Sequence, residues 1–213
     1  MERNKLLNKT NYQLVLDKTL EQIRSLSAPP TLLLHSCCGP CSTYVLEYLS
    51  QYFSITVYYY NPNIYPPEEY FMREREQEDF IRKLPAKYPI HFLAARYNPQ
   101  EYYEAVKSHE RDPEGGERCR LCYGLRLREA AHVAKENGFD YFTTTLSISP
   151  HKDSQVLNRI GGELAEEIGV KYLFSDFKKR DGFRRSTMLT QEYQMYRQDY
   201  CGCVFSYRKR QDP

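Results

Sequence analysis

Residues 31–42 read TLLLHSCCGPCS, an apolar run that leads directly into three closely spaced cysteines. The run at 31–35 is short and ends at a loop, which predicts a buried strand. Cys37, Cys38 and Cys41 follow in a loop that contains a Gly-Pro pair, and residues 42–53 have a helical pattern. Strand, loop and helix in this order predict the first unit of a parallel α/β sheet.

Strand and helix patterns alternate along most of the chain. Apolar and β-branched runs predict strands at 31–35, 55–63, 90–97, 141–148 and 171–177. Helical spacing predicts helices at 10–27, 42–53, 68–84, 119–137, 152–168 and 186–200, with a shorter helical piece from residue 99 and a loop at 112–117. We therefore predict an α/β fold, with a parallel sheet, helices on both faces and added helices that carry the later cysteines. Ligands bind outside the carboxyl ends of such strands, so the cysteine loop is predicted to lie at the binding edge.

The composition limits the kinds of protein that this chain can be. Its 213 residues suit one domain, for which we expect an N-terminal helix in 1–29, a core at 30–206 and a tail at 207–213. The net charge of +2, from 30 basic and 28 acidic residues, means that nucleic-acid contacts would need local patches. The N-terminus does not read as a secretory signal, and no run approaches the ~18 apolar residues of a membrane helix. We therefore expect a cytoplasmic protein whose thiols are reduced.

All seven cysteines fall into three short groups. The first group is Cys37, Cys38 and Cys41, the second is Cys119 and Cys122, and the third is Cys201 and Cys203. The spacing of the second pair places both sulfurs on one helical face. Gly202 separates the third pair and allows the backbone to turn sharply there. We predict that folding brings all seven together as ligands of one site.

Three kinds of thiol site remain open at this point. Four thiolates suit a tetrahedral zinc ion or a 4Fe–4S cluster. A closed zinc site would leave three thiols over, whereas an iron–sulfur cluster with a second metal would use them. The Cys-Gly-Pro-Cys loop also occurs in thioredoxin, but that fold is much shorter and needs no further cysteines. A helix N-terminus lowers the pKa of a thiol, which favours both metal binding and redox chemistry.

Five segments together resemble the cobalamin-independent epoxyqueuosine reductases, the QueH family. They are HSCCGPCS (35–42), YNPNIYPPEEYFMR (60–73), RCRLCYGLRL (118–127), FTTTLSISPHKD (142–153) and YRQDYCGCVFS (196–206). The resemblance implies a fold akin to the adenine nucleotide α-hydrolases (HUP, PP-loop-like). It also implies the last step of queuosine biosynthesis, the reduction of epoxyqueuosine to queuosine at the wobble position of tRNA with a 4Fe–4S cluster. Cysteines replace the phosphate-binding Ser/Gly loop of that superfamily, so we do not expect ATP use.

The implied reaction needs two electrons and two protons, which suggests roles for single residues. The surplus thiols leave room for a second, mononuclear iron that would polarise the epoxide, with Asp176 or Asp153 as a further ligand. A general acid must protonate the leaving oxygen, and His35, His151 and Tyr200 flank the motif loops. The catalytic candidates are therefore Cys37, Cys38, Asp176, His35 and Tyr200.

The expected partners are the tRNA anticodon loop and an external one-electron donor such as a ferredoxin or flavodoxin. Tyr60, Asn61 and Asn63 follow a predicted strand and are candidates for contacts with the base or its cyclopentane diol. The candidate phosphate contacts are Lys178, Lys179, Arg180, Arg184 and Arg185. Two other functions stay open, an iron–sulfur tRNA thiolase of the PP-loop type and a zinc-stabilised RNA-binding module without catalysis.

Overall fold

The computed structural model describes residues 9–211 and contains one five-stranded sheet. The strands are β1 (Thr31–His35), β2 (Ser54–Tyr59), β3 (Ile90–Ala94), β4 (Tyr141–Thr144) and β5 (Lys171–Tyr172). They pair in the order β3-β2-β1-β4-β5, and every pair is parallel. The predicted parallel α/β sheet is therefore confirmed. The first eight residues of the predicted N-terminal segment lie outside the described residues.

Helices cover both faces of the sheet, as predicted. They are α1 (Tyr12–Arg24), α2 (Gly39–Leu49), α3 (Pro67–Lys83), α4 (Pro99–Ala105), α5 (Glu117–Glu136), α6 (Ser154–Ile168), α7 (Gly182–Glu192) and α8 (Val204–Gln211). The alternation of side chains along β1 separates two cores. Leu32 and Leu34 pack with α1, α2 and α3, whereas Leu33 packs with α5 and α6.

The centre of the sheet is a topological switch point. β1 pairs with β2 on one side and with β4 on the other, so the chain moves outward in opposite directions after these two strands. The loops that follow β1 and β4 therefore diverge and leave a crevice at the carboxyl edge. Cys37, Cys38 and Cys41 follow β1 directly, and a 3₁₀ turn, Thr145–Ile148, follows β4. The fold thus places the first cysteine group where parallel sheets bind their ligands.

Local signals in the sequence position several helix ends. Pro67 occupies the first turn of α3 together with Glu68 and Glu69, which suit the positive end of the helix. Gly169 ends α6 with a φ of 76°, a left-handed conformation that glycine adopts readily. Within residues 9–211, no helix is both long enough and apolar enough to cross a membrane.

Several element predictions are corrected by the structure, and β2 and β3 end at Tyr59 and Ala94 rather than at residues 63 and 97. Residues 145–148 form the 3₁₀ turn rather than the end of a strand, and β5 covers only Lys171–Tyr172 of the predicted 171–177. The predicted helix at 186–200 is confirmed up to Glu192, where α7 ends, and is wrong beyond it, because α8 begins only at Val204. Cys201 and Cys203 therefore lie in an irregular stretch, which we call the 193–203 segment, and the last helix follows them.

A capping motif without glycine explains the early end of α7. Gln194 has a φ of 52°, and its N–H donates to Gln191 O at 3.1 Å. The N–H of Met195 donates to Thr190 O at 2.9 Å. This pair of bonds is a Schellman cap, which usually has glycine at the left-handed position. With glutamine there, the sequence gives no stop signal.

Candidate functional site

Three thiols converge at the carboxyl end of β1. The Sγ atoms of Cys37, Cys38 and Cys41 all lie within 4.8 Å of one another, and we call this group the β1 triad. Cys37 and Cys38 Sγ are 3.8 Å apart, and Cys41 lies in the first turn of α2. Cys38 is the residue that caps α2, and its side chain makes no capping bond. The free N–H groups and the dipole of α2 therefore favour negative charge on these sulfurs.

The β1 triad readily carries one negative charge. Hydrogen bonds from the Cys38 and Cys41 thiols lower the pKa of Cys37 well below its usual range, and the positive charges of Lys152 and Arg126 lower it further. The Cys37 thiolate in turn raises the pKa of Cys38 to about 12 and raises that of Cys41 as well. A bound cation would be needed to ionise all three thiols near neutral pH.

The donor set of the β1 triad fits a thiophilic metal. Two thiolates bonded at about 2.3 Å to one tetrahedral ion are about 3.8 Å apart. Cys37 and Cys38 Sγ already have a separation of 3.8 Å without any change of rotamer. Soft thiolate donors select zinc and iron–sulfur centres over hard cations such as Mg²⁺. The triad can therefore hold such a group, and the donor set does not distinguish zinc from iron.

The other four cysteines form a second group around the start of α5. Cys119 and Cys122 lie on α5, while Cys201 and Cys203 flank Gly202, whose φ of 109° confirms the predicted sharp turn. Cys122 and Cys203 are buried in one small cluster with Tyr102 and Val106. Burial raises the pKa of Cys122 to about 12, and the charges of Cys201 and Cys203 contribute to this rise. We call these four cysteines the α5 group.

Arg126 and Lys152 lie between the two thiol groups. Arg126 is 3% exposed, and its Nε donates to His35 Nε2 at 3.3 Å while its Nη2 donates to Asn61 Oδ1. Burial lowers the pKa of Arg126, but Cys122, Cys37 and Cys201 raise it by more. Cys201, Cys37 and Cys41 likewise raise the pKa of the half-buried Lys152, although desolvation lowers it. Both side chains stay cationic and offset the charge of the thiolates.

A cavity of about 780 Å³ opens over the β1 triad. Its walls include the three triad cysteines, Cys201, Arg126 and Lys152. The 193–203 segment forms one side, where Gln198 Nε2 donates to Cys38 Sγ at 2.9 Å. The same segment approaches the triad loop closely, because a Cβ on Gly39 would lie 2.4 Å from Met195 Cε. The cavity is large enough for a nucleoside-sized ligand beside the sulfurs.

The predicted catalytic residues lie in different surroundings. His35 is fully buried between Thr144 Oγ1 and Tyr60 O, and burial with the nearby Arg126 lowers its pKa to about 3. It does not line the cavity, whereas Tyr200 and the exposed His151 do. Burial raises the pKa of Tyr200 to about 12, and its hydroxyl donates to Tyr65 O at 2.7 Å.

The two predicted carboxylates also lie outside the cavity walls. Asp176 accepts a hydrogen bond from Ser154 Oγ at 3.0 Å and pairs with Lys178 Nζ at 2.9 Å. Asp153 caps α6, where it accepts a bond from the N–H of Gln155 at 2.8 Å. Both carboxylates therefore have structural partners, and a metal-binding role for either stays a prediction.

The predicted substrate contacts are only partly at the cavity. Asn63 lines it, whereas Asn61 is held by Arg126 and Ser36 O, and the Tyr60 hydroxyl donates to Glu101 at 2.6 Å. Among the basic residues, Lys178, Arg180 and Arg185 are ion-paired with Asp176, Asp17 and Glu47. Lys179 and Arg184 are exposed. A role of these residues in binding substrate stays a prediction.

Sequence reasoning missed Arg126, Lys152 and Gln198. A signal for Arg126 exists, because it follows Cys122 by four residues and so shares a helical face with it. Lys152 follows His151 in the segment FTTTLSISPHKD, where the residue type alone gave no specific signal. Gln198 had no signal, since its contact with Cys38 depends on the irregular path of the 193–203 segment.

The fold and the site together define a class of α/β proteins with a cluster of thiols at the switch point of a parallel sheet. Comparisons with known proteins give the family. The sequence profile described as "Epoxyqueuosine reductase QueH" matches residues 32–209. The chain therefore belongs to the QueH family, which confirms the resemblance inferred from the five motifs.

Similar proteins in three bacteria carry the same name, epoxyqueuosine reductase QueH. The Streptococcus pyogenes serotype M1 protein is 46% identical over 93% of this chain and 78% of its own length. The Staphylococcus epidermidis protein is 41% identical over 99% of this chain and 92% of its own length. The Thermotoga maritima protein is 35% identical over 85% of this chain and 93% of its own length.

Proposed function

We propose that this protein reduces epoxyqueuosine to queuosine at the wobble position of tRNA. The family match over residues 32–209 supports this activity. The observation that carries the proposal in this chain is the β1 triad, because its three sulfurs line a nucleoside-sized cavity at the switch point of the sheet. The reaction consumes two electrons and two protons, breaks both C–O bonds of the epoxide and releases its oxygen as water.

The cofactor of the proposed reaction is a 4Fe–4S cluster, with room for a second, mononuclear iron. The seven cysteines would hold these groups, since they form two sets of thiols, the β1 triad and the α5 group. When bound, the cluster supplies electrons one at a time, and a mononuclear iron supplies a Lewis acid that polarises a C–O bond. Zinc in a closed thiolate site would leave the reduction without an electron source.

The chain's own residues supply charge and position. Lys152 and Arg126 bring positive charge into the cavity walls, where it stabilises the oxygen that leaves the epoxide carbon. Tyr200 and His151 also line the cavity and are the candidates for delivery of a proton. His35 is the weaker candidate, because its pKa of about 3 keeps the ring neutral near neutral pH and its side chain does not line the cavity.

The proposed fold relationship and cellular setting follow from the same family resemblance. We place the chain, as one domain, beside the adenine nucleotide α-hydrolases, which would make the triad loop the counterpart of their phosphate loop. Cysteines occupy that loop here, so ATP is not a substrate of the proposed reaction. The reaction takes place in the cytoplasm, with a ferredoxin or flavodoxin as electron donor.

The test combines metal analysis with a tRNA assay. The full chain, purified without oxygen, is analysed for iron, zinc and acid-labile sulfide. It is then incubated with epoxyqueuosine-bearing tRNA and a chemical reductant, and the nucleosides are quantified by mass spectrometry. Iron with sulfide and queuosine formation without ATP are expected. Zinc without sulfide and no product would indicate the RNA-binding module, and a sulfur-containing product that requires ATP would indicate the thiolase.

A further inference from the structure

Seven exposed side chains line the cavity; three of them are Glu114, Pro150 and Asp199, and the other four are basic or aromatic. His151, Phe183, Arg197 and Lys209 all line the cavity, and all are exposed. We call them the cavity rim. They come from the loop before α6, from α7, from the 193–203 segment and from α8. A substrate that enters the cavity from solvent can contact these side chains.

Basic side chains outnumber acidic ones in the cavity walls, although the charges of the whole protein nearly balance. The whole chain has 30 basic and 28 acidic residues. The cavity walls include Arg73, Arg126, Lys152, Arg197 and Lys209, against the acidic Glu114 and Asp199. Among the side chains that the structure describes, no carboxylate forms an ion pair with Arg197 or Lys209. These two cations are therefore available to an anionic ligand.

An aromatic ring accompanies the charge at the rim. Phe183 is 37% exposed, and the guanidinium of Arg197 lies over its ring, 5.3 Å from the centroid. Single-stranded RNA is bound by such planes, because unstacked bases stack on aromatic rings and guanidinium groups while cations contact the phosphates. The stacked Phe183–Arg197 pair offers both interactions at the cavity mouth.

We propose that the cavity rim is the surface that binds the single-stranded RNA around the target nucleotide. Phe183 and Arg197 stack a neighbouring base, and Arg197 and Lys209 contact the flanking phosphates. The proposal rests on the proposed function for its substrate, and it deepens that function by naming the contacts. It places the main RNA contacts at the rim rather than at residues 178–185, where three of the five basic side chains are paired with carboxylates.

The test measures binding of an unmodified anticodon stem–loop RNA to the full, metal-loaded chain between about 50 and 200 mM salt. Each phosphate contact to a single strand contributes about 0.7 to the log–log slope, so Arg197→Ala with Lys209→Ala should lower the slope by about 1.4. The charge-matched control is Lys18→Ala with Lys83→Ala, which removes two exposed lysines outside the cavity walls and should leave the slope unchanged. Phe183→Ala should weaken binding by about tenfold, whereas Phe183→Tyr keeps a stacking ring and should bind as the parent does.

Independent readouts separate this proposal from the proposed function. Reduction of epoxyqueuosine-bearing tRNA by the parent protein tests the reaction, whatever the rim variants do. If the parent reduces the tRNA but the rim variants keep the parental slope and affinity, the rim proposal is overturned. The rim proposal is also overturned if Lys179→Ala with Arg184→Ala lowers the slope instead. It is likewise overturned if the rim variants lose only electron transfer from an acidic donor protein.

Discussion

The β1 triad and the α5 group consist of the same kind of side chain but are assembled differently. The triad spans five residues on one strand-to-helix turn, and its sulfurs lie within 4.8 Å of one another. The α5 group joins one helix to a turn about eighty residues later in the chain. Within the described residues, no three cysteines of the α5 group approach as closely as those of the triad. Local sequence therefore fixes the positions of the triad cysteines, whereas tertiary packing fixes those of the α5 group.

The two groups also differ in their electrostatics. In the triad, the thiols hydrogen-bond to one another, so the pKa of Cys37 is lowered while those of Cys38 and Cys41 are raised. In the α5 group, burial is the first cause that raises the pKa of Cys119 and of Cys122. The triad therefore carries a negative charge before a metal binds. Cys119 and Cys122, in contrast, lose their protons only when they bind a metal.

The largest expected effect follows from replacing one thiol in each group. We expect Cys37→Ser and Cys122→Ser each to lower product formation by more than about a hundredfold, because loss of even an outer-shell partner costs 10- to 100-fold. If the two groups hold separate metals, each variant loses its own share of iron and keeps the other. Iron and sulfide per chain, measured on both variants, check this.

A shared single site would give a different pattern. Both variants would then lose the same fraction of iron and sulfide, and the distinction between the groups would have no chemical meaning. The double variant Cys37→Ser with Cys122→Ser is the reference, because it gives the iron and sulfide per chain when the triad and the α5 group have each lost a thiol.

The sequence predicted the triad and its place, but not how the α5 group is connected. Residues 31–42 contain the strand, the loop and the helix start, so their order and the ligand-binding edge of parallel sheets together located the triad. The path of residues 193–203 depends on a left-handed Gln194, on the N–H of Tyr196 bonded to Glu76 and on Gln198 bonded to Cys38. These are long-range contacts of ordinary polar residues, and no local pattern encodes them. The predicted helix at 186–200 failed beyond Glu192 for this reason.

The next largest effect concerns Arg126, which links the two groups. Arg126→Met keeps much of the volume but leaves Asn61 Oδ1 and His35 Nε2 without their buried donor. Removing one partner of a buried charged network costs about 3 to 5 kcal/mol, so the free energy of unfolding should fall by that amount. Urea denaturation without oxygen measures it.

Arg128 is the matched control for Arg126 on the same helix. It pairs with Glu167 at the surface, where the two side chains are 49% and 55% exposed. Arg128→Met should cost less than about 1 kcal/mol, as surface ion pairs do. Equal losses in the two variants would mean that Arg126 does not hold the groups together.

A smaller effect should disturb the α5 group without changing a thiol. Gly202 has a φ of 109°, and a Cβ there would lie 3.1 Å from Arg73 Nη1. Gly202→Ala should cost about 1 to 3 kcal/mol through backbone strain and move Cys201 and Cys203. We expect the metal content to fall in this variant, as measured by iron per chain. Gly138→Ala also puts a side chain at a positive φ, here 70°, with open space around it, and it should destabilise the chain while leaving the iron content unchanged.

The smallest expected effect is a gain in stability on α5. Gly124 lies between Cys122 and Arg126, and a Cβ there would meet no atom within 4 Å. Gly124→Ala should raise the free energy of unfolding by about 1 kcal/mol, because alanine is the better helix former. Gly161→Ala on α6 should do the reverse, since its Cβ would lie 2.3 Å from Tyr172 Cζ in the core. If Gly124→Ala is more stable but forms less product, the substrate must occupy the open face of α5 beside Cys122 during the reaction. The α5 group would then contact the substrate, as is proposed for the triad.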